Sequence, residues 1–318
     1  MSASFQTQAE ELEPEVLRFV QDIVERSEQL AAGHPLSLNE RRKLAETVRA
    51  PWSAGGPEMR ETRDITLPDT GCTLRVHIPR EGAGAGTLLY IHGGGWMLFS
   101  VDTHDRLMRE YAAAAGCAVV GLDYSLAPEN PFPTALNEVV ACVEWLRSNG
   151  SDHGLETSTL LIGGDSAGGN LALAATKMLR DQGAALPDGI LINYGALDTE
   201  HRASHQRYDG PPYMLDVAEM DDFWQAYVSD ADRQNPYARV MLGQLSGLPA
   251  THLCIAGCDI LVDENKELLS RLRTSGVDVT AEIYQGATHS FLEAMSISPI
   301  AKKAIADSAA WIKRLLQS

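Results

Sequence analysis

The chain has 318 residues, 44% of them hydrophobic and 22% charged, with a formal net charge of −17. That length can bury a large core within a single α/β domain. The acidic balance excludes a nucleic-acid binder, which needs a basic face, and disfavours docking on an anionic membrane surface.

The opening residues, MSASFQTQAEELEPEV, have no basic n-region and no apolar stretch, so no secretory leader is expected. No run approaches the ~18 apolar residues of a membrane span. Leu12, Val16, Phe19 and Ile23 recur at helical spacing and predict a helix over 10–31. Ser37 and Glu40 form a capping-box pattern that opens a second helix to about Arg49. Pro51 and the Ser-Ala-Gly-Gly-Pro stretch after it are expected to break that helix.

From residue 61 the pattern becomes strand, turn, helix, repeated. Strands are expected at 62–67, 72–78, 87–91, 117–122, 159–163, 189–194, 251–256 and 279–284. Helices are expected at 103–115, 134–148, 167–181, 264–274 and 299–316. Apolar runs such as TLLYI, CAVVGL and TLLIG predict a mainly parallel eight-stranded sheet covered on both faces, an α/β class fold. Residues 200–240 break the alternation. They are polar and aromatic-rich, with a helix expected at 216–229 behind Pro211 and Pro212. The segment is either a lid over the strand ends or an ordinary extra packed helix.

The five cysteines, Cys72, Cys117, Cys142, Cys254 and Cys258, are odd in number and scattered. Free thiols in a reducing, cytoplasmic compartment are the reading. Cys254 and Cys258 have no second Cys or His pair to complete a metal site, so neither metal nor cofactor is expected.

Gly164 to Gly168 spell G-x-S-x-G between an apolar strand and a helix. A serine at that junction, Ser166, is lifted to the carboxyl end of the sheet with a helix N-terminus aimed at it. The spacing matches neither phosphate-loop pattern. His92, three glycines and Trp96 follow the strand 87–91, which suits a loop that turns backbone N–H groups towards an oxyanion. Gly93, Gly94 and Ala167 are the expected donors, with His92 tying the loop down. A serine needs a base. Of nine histidines, His289 is best placed, between the last strand and the last helix. His201 and His205 lack the Glu of H-E-x-x-H and are taken as solvated residues. Asp259, at a strand end and in Ser-Asp-His chain order, is the preferred acid; Asp263, the expected cap of helix 264–274, and Asp198 are its rivals.

Together HGGGW at 92–96, DYSLAPENPFP at 123–133, GGDSAGGN at 163–170, AGCDILVDE at 256–264 and GATHSF at 286–291 resemble the hormone-sensitive-lipase family of bacterial esterases. The resemblance runs from about residue 60 onward. It implies an α/β-hydrolase fold at 51–199 and 241–318, a helical cap from 1–50 and 200–240, and the triad Ser166, Asp259 and His289. It also implies that Glu129 supports the site and that Asp165 marks the GDSAG subgroup. Trp96, Phe99 and Asp165 are the candidate substrate contacts. Phe99, Ile260 and Gly195 stand where relatives often have Gly, Pro and Pro; Phe99 bears on the shape of the pocket entrance. The implied activity is hydrolysis of short acyl esters of about two to six carbons. Amides, lactones and acetylated sugars suit the same chemistry, and a non-catalytic receptor is disfavoured because His289 is present. The expected partner is a small-molecule ester; a homodimer is admitted but not required.

Overall fold

The computed structural model describes residues 11–82 and 84–317. The first ten residues of the expected cap segment, including the start of the predicted helix over 10–31, lie outside the described residues.

Eight strands form one sheet: β1 (Glu61–Thr66), β2 (Thr73–Ile78), β3 (Thr87–Ile91), β4 (Ala118–Asp123), β5 (Leu160–Asp165), β6 (Gly189–Asn193), β7 (Ala250–Ala256) and β8 (Val279–Tyr284). Their order is β1-β2-β4-β3-β5-β6-β7-β8. β2 pairs antiparallel with both β1 and β4, and every other pair is parallel. β3, β5 and β6 are buried at every position, which is why they read as continuous apolar runs. Side chains of a strand alternate between faces. Leu88 and Tyr90 therefore join one apolar cluster, while Leu89 and Ile91 join the other.

Helices α3 (Asp105–Ala115) and α9 (Pro299–Leu316) supply Leu107, Tyr111, Ile305 and Trp311 to the first cluster. Helices α4 (Thr134–Asn149), α5 (Ala167–Asp181) and α8 (Val262–Thr274) supply Val139, Leu171 and Leu268 to the second. β3 sits between β4 and β5, so the chain winds to one side of it and then to the other. At such a switch point the loops after neighbouring strands part and leave a crevice beyond their carboxyl ends. Here those loops carry the glycine run after β3 and Ser166 after β5.

Four helices stand outside this layering: α1 (Pro14–Ala31), α2 (Leu38–Ser53), α6 (Ala203–Arg207) and α7 (Val217–Tyr227). Glu13 caps α1 through the Val16 N–H at 2.8 Å, and its own N–H donates to Gly286 O at 3.0 Å. That bond anchors α1 to the loop that carries His289. The capping box of Ser37 and Glu40 is present at the start of α2. Arg42 ties α2 to the glycine loop, donating to Met97 O at 2.8 Å and to both Glu129 oxygens at 2.8 and 2.7 Å. Arg41 joins α2 to α7 through Asp222 at 2.9 Å. Contrary to expectation, α2 runs through Pro51 to Ser53. The proline forgoes one helical bond two residues from the end. Trp52 holds that last turn by packing edge-on to Phe19 at 4.9 Å and donating to Asp22 at 2.9 Å.

All five cysteines are buried and free. Among the described residues no helix is long and apolar enough to cross a membrane, and no group of three or more His, Cys, Asp or Glu could hold a metal ion.

Candidate active site

Ser166 closes β5 and precedes α5 with φ 52° and ψ −118°. This is the left-handed, strained backbone of a nucleophile elbow, and it persists only where the surroundings enforce it. The enforcement is close packing on β3. A Cβ on Gly168 would meet Ile91 O at 2.0 Å, so only glycine lets the first turn of α5 approach that strand. The Ser166 N–H donates to Asn193 O at 2.9 Å and locks the turn to β6.

His289 lies in the loop after β8. Its Nε2 is 2.9 Å from Ser166 Oγ and its Nδ1 is 2.7 Å from Asp259 Oδ2. All three residues are buried. The second oxygen of Asp259 accepts the Leu261 N–H at 3.0 Å, which fixes the carboxylate and leaves it one oxygen for the imidazole. Burial would lower the His289 pKa, but the charge and hydrogen bond of Asp259 outweigh it and hold the imidazole above its ordinary value.

The rivals for the acid are occupied elsewhere. Asp198 pairs with Arg239 at 2.8 Å and Arg202 at 2.9 Å. Asp263 was expected to cap the helix that follows; α8 instead starts one residue before it, and its carboxylate accepts the Ser204 N–H at 2.9 Å. His205 also departs from expectation. It is buried, with Nδ1 accepting from the Arg202 N–H at 3.1 Å, whereas His201 stays exposed.

The glycine loop is held by its own side chains. His92 Nδ1 contacts Gly93 O at 2.7 Å, and its ring stacks on Tyr124 at 4.3 Å. Burial pushes the His92 pKa down to about 3, so this imidazole is neutral and no base. The N–H of Gly93, expected to serve an oxyanion, is committed to Asp165 Oδ1 at 3.1 Å. Among the described residues the N–H groups of Gly94 and Ala167 make no hydrogen bond. Gly94 has φ 106°, and a Cβ there would meet Leu98 O at 2.3 Å, so the position requires glycine.

Ser166 and His289 open onto a cavity of about 330 Å³. Its wall is mostly apolar, with Ile23, Val24 and Val48 from α1 and α2, Phe99, and Met220 and Phe223 from α7. Trp96 is not part of that wall. It is fully buried, stacked on Tyr227 at 4.3 Å and tilted against Trp224 at 4.5 Å, where it glues the loop to α7. Asp165 is not part of it either; its carboxylate points away beneath the glycine loop, onto Tyr90, Gly93 and His104. Of the three expected substrate contacts only Phe99 lines the cavity.

Two further features escaped sequence reasoning. Glu219, in the first turn of α7, lines the cavity and has no ion pair or side-chain hydrogen bond among the described residues. Burial, and secondarily Asp216, hold its carboxyl above the ordinary range. His104 is buried against Asp165. The sequence placed it inside the helix expected at 103–115, where nothing set it apart; the helix instead starts at Asp105.

The family described as α/β hydrolase fold matches residues 88–293, more than half of the chain. An esterase from Pyrobaculum calidifontis is similar at 31% identity, with 96% of this chain and 100% of that one covered and a TM-score of 0.88. An ester-hydrolase from the metagenome of Lake Arreo is similar at 30% identity, covering 96% and 100% of the two chains, also with a TM-score of 0.88. An esterase of the bacterial hormone-sensitive lipase family matches at 29% identity, 96% and 99% coverage and a TM-score of 0.85. On these matches the chain belongs to the α/β-hydrolase family, in its hormone-sensitive-lipase branch.

Proposed function

We propose that the protein is a carboxylesterase that hydrolyses small acyl esters through an acyl-enzyme on Ser166. The carrying observation is the unbroken contact from Ser166 Oγ through His289 to Asp259 at the floor of an apolar cavity, beside two uncommitted N–H groups. As Ser166 Oγ bonds to the ester carbonyl carbon, its proton passes to His289 Nε2, and the carbonyl π pair moves onto oxygen. Gly94 and Ala167 N–H receive that oxyanion, each worth ~10²–10³ in kcat by the usual cost of losing one donor. The tetrahedral centre collapses, the C–O bond to the alcohol breaks, and His289 returns its proton to the leaving oxygen. Water then repeats the cycle on the acyl-enzyme and releases the carboxylic acid. Asp259 keeps the imidazole in the tautomer that presents Nε2 to serine.

The short-chain preference rests on the cavity. A volume of about 330 Å³ stands at the low end of ligand sites, which run to ~1,000 Å³. The described part of 1–50, from residue 11, serves with 200–240 as the cap, a reading supported by the share of the cavity wall that α1, α2 and α7 supply. Five buried free thiols suit a reducing, cytoplasmic setting.

The test is hydrolysis of p-nitrophenyl acetate and butyrate by the purified protein and by Ser166→Ala. The variant should fold normally and lose ~10⁴–10⁶ in kcat. Near-normal turnover in the variant would remove Ser166 from the chemistry.

A further inference from the structure

We infer that His104 and Asp165 form a buried positioning pair that aims the Gly94 N–H at the oxyanion, a role that rests on the ester-hydrolase reading above. Neither residue touches the cavity, yet both are almost fully buried, at 2% and 3% exposure. A buried ion pair needs a reason, since apolar replacements are often neutral or stabilising.

Both ring nitrogens of His104 have partners. Nδ1 lies 2.9 Å from the Thr103 hydroxyl, which also bonds Ser100 O at 2.8 Å. Nε2 lies 3.3 Å from Asp165 Oδ2, which as a carboxylate oxygen can only accept, so Nε2 carries a proton. Burial lowers the His104 pKa, but Asp165 outweighs burial and holds it above the ordinary value, which favours the imidazolium.

The other oxygen of Asp165 does the positioning. Oδ1 accepts the Tyr90 hydroxyl at 3.0 Å and the Gly93 N–H at 3.1 Å. Tyr90 is itself fixed by Asn193 Nδ2 at 3.2 Å, the strand residue whose carbonyl holds the Ser166 N–H. The Gly93 carbonyl is turned towards His92 Nδ1 at 2.7 Å. A trans peptide is planar, so its N–H points opposite to its C=O. With the Gly93 N–H and C=O both held, the Gly94 N–H has one direction left, away from His92. Asp165 also immediately precedes Ser166, so one carboxylate registers the donor loop against the nucleophile.

His104 is what keeps that carboxylate ionised. Without it, burial, which raises the Asp165 pKa, would be opposed chiefly by the Tyr90 and Gly93 bonds, and the carboxyl would take up a proton more readily. The Gly93 bond would lose its charge assistance, which roughly doubles such a bond, and the loop would loosen. A displacement of ~1 Å at a reacting centre costs on the order of 10²-fold.

The experiment uses the full chain. Wild-type turnover of p-nitrophenyl acetate tests the ester reading by itself. In His104→Ala, kcat should fall ~10–100-fold with KM within about threefold. The inhibition constant of an aliphatic trifluoromethyl ketone, whose hemiketal oxygen uses the same donors, should weaken by the same factor. His104→Gln, which keeps a donor towards Asp165 but not the charge, should recover part of the loss. A double variant with Asp165→Ala should be no worse than Asp165→Ala alone. If His104→Ala does not fold, Thr103→Val removes the Nδ1 partner, together with the hydroxyl's bonds to Ser100, and carries the same test at smaller amplitude. A folded variant with wild-type kcat and inhibitor affinity, or a loss confined to KM, overturns the inference while leaving the ester reading intact. An inactive wild type overturns the ester reading.

Discussion

Replacing Phe99 by glycine should lengthen the preferred acyl chain without harming the fold. Phe99 holds φ 70°, lines the cavity beside Ser166, and lies under the Arg49 guanidinium at 4.2 Å. Its ring packs on the donor loop, since a Cβ on Gly94 would meet Phe99 Cδ2 at 2.7 Å. An aromatic side chain covers ~150–250 Å². If half of that faces the cavity, its removal frees ~100 Å², or about three methylenes at ~0.8 kcal/mol each. The sum of ~2.4 kcal/mol corresponds to about 60-fold in kcat/KM, at ~1.36 kcal/mol per decade. Stability should fall by ~1–2 kcal/mol. The half of the ring packed on the loop is worth ~2.5 kcal/mol and the cation–π contact ~0.5–1 kcal/mol, against ~1–2 kcal/mol of left-handed backbone cost that glycine relieves. The assay is kcat/KM for p-nitrophenyl esters from acetate to palmitate, below their micelle concentrations. The wild type should peak between two and six carbons, and beyond the peak overpacking at ~1–3 kcal/mol should cut the rate. The variant should peak about three carbons later, and near that peak exceed the wild type about 60-fold. An unchanged optimum in a variant that is folded at the assay temperature would mean that Phe99 does not bound the acyl site. A wild-type maximum at ten carbons or more would refute the closed-pocket reasoning altogether.

Asp259→Asn should lose ~10⁴ in kcat. Asp263→Asn should cost only ~1 kcal/mol of stability through the Ser204 contact. Asp198→Asn should act on stability, by up to ~3–5 kcal/mol, because it strands Arg239. Thermal melts and single-ester kinetics on the three variants separate these effects. In the pH profile of kcat/KM, activity should fall as pH drops through the His289 pKa, since the imidazolium cannot take the serine proton. Asp259 raises that pKa, so the midpoint should lie above the ordinary value of about 6.5 and move to lower pH in Asp259→Asn. Prolonged dialysis against EDTA should leave turnover unchanged; a loss restored by zinc would require a different chemistry.

The fold class, the succession of strands along the chain and the three side chains of the proposed triad were legible in the sequence, because each has a local cause. A buried parallel strand must be apolar at every position, so β3, β5 and β6 announce themselves. The elbow at Ser166 needs small neighbours on a strand-to-helix junction, and the bases and acids of such sites collect at strand ends, where His289 and Asp259 stand. What the sequence could not decide was where a side chain points, because that depends on what folds against it. Trp96 looked like a substrate contact until Tyr227 and Trp224, more than 120 residues away, were seen to enclose it. Asp165 and Gly93 were both assigned outward roles, yet 72 residues apart in the chain they bond to each other beneath the loop. Glu219 and His104 carried no motif at all. Their significance comes from burial and from the charges that tertiary packing leaves beside them, and neither is a property of sequence neighbours.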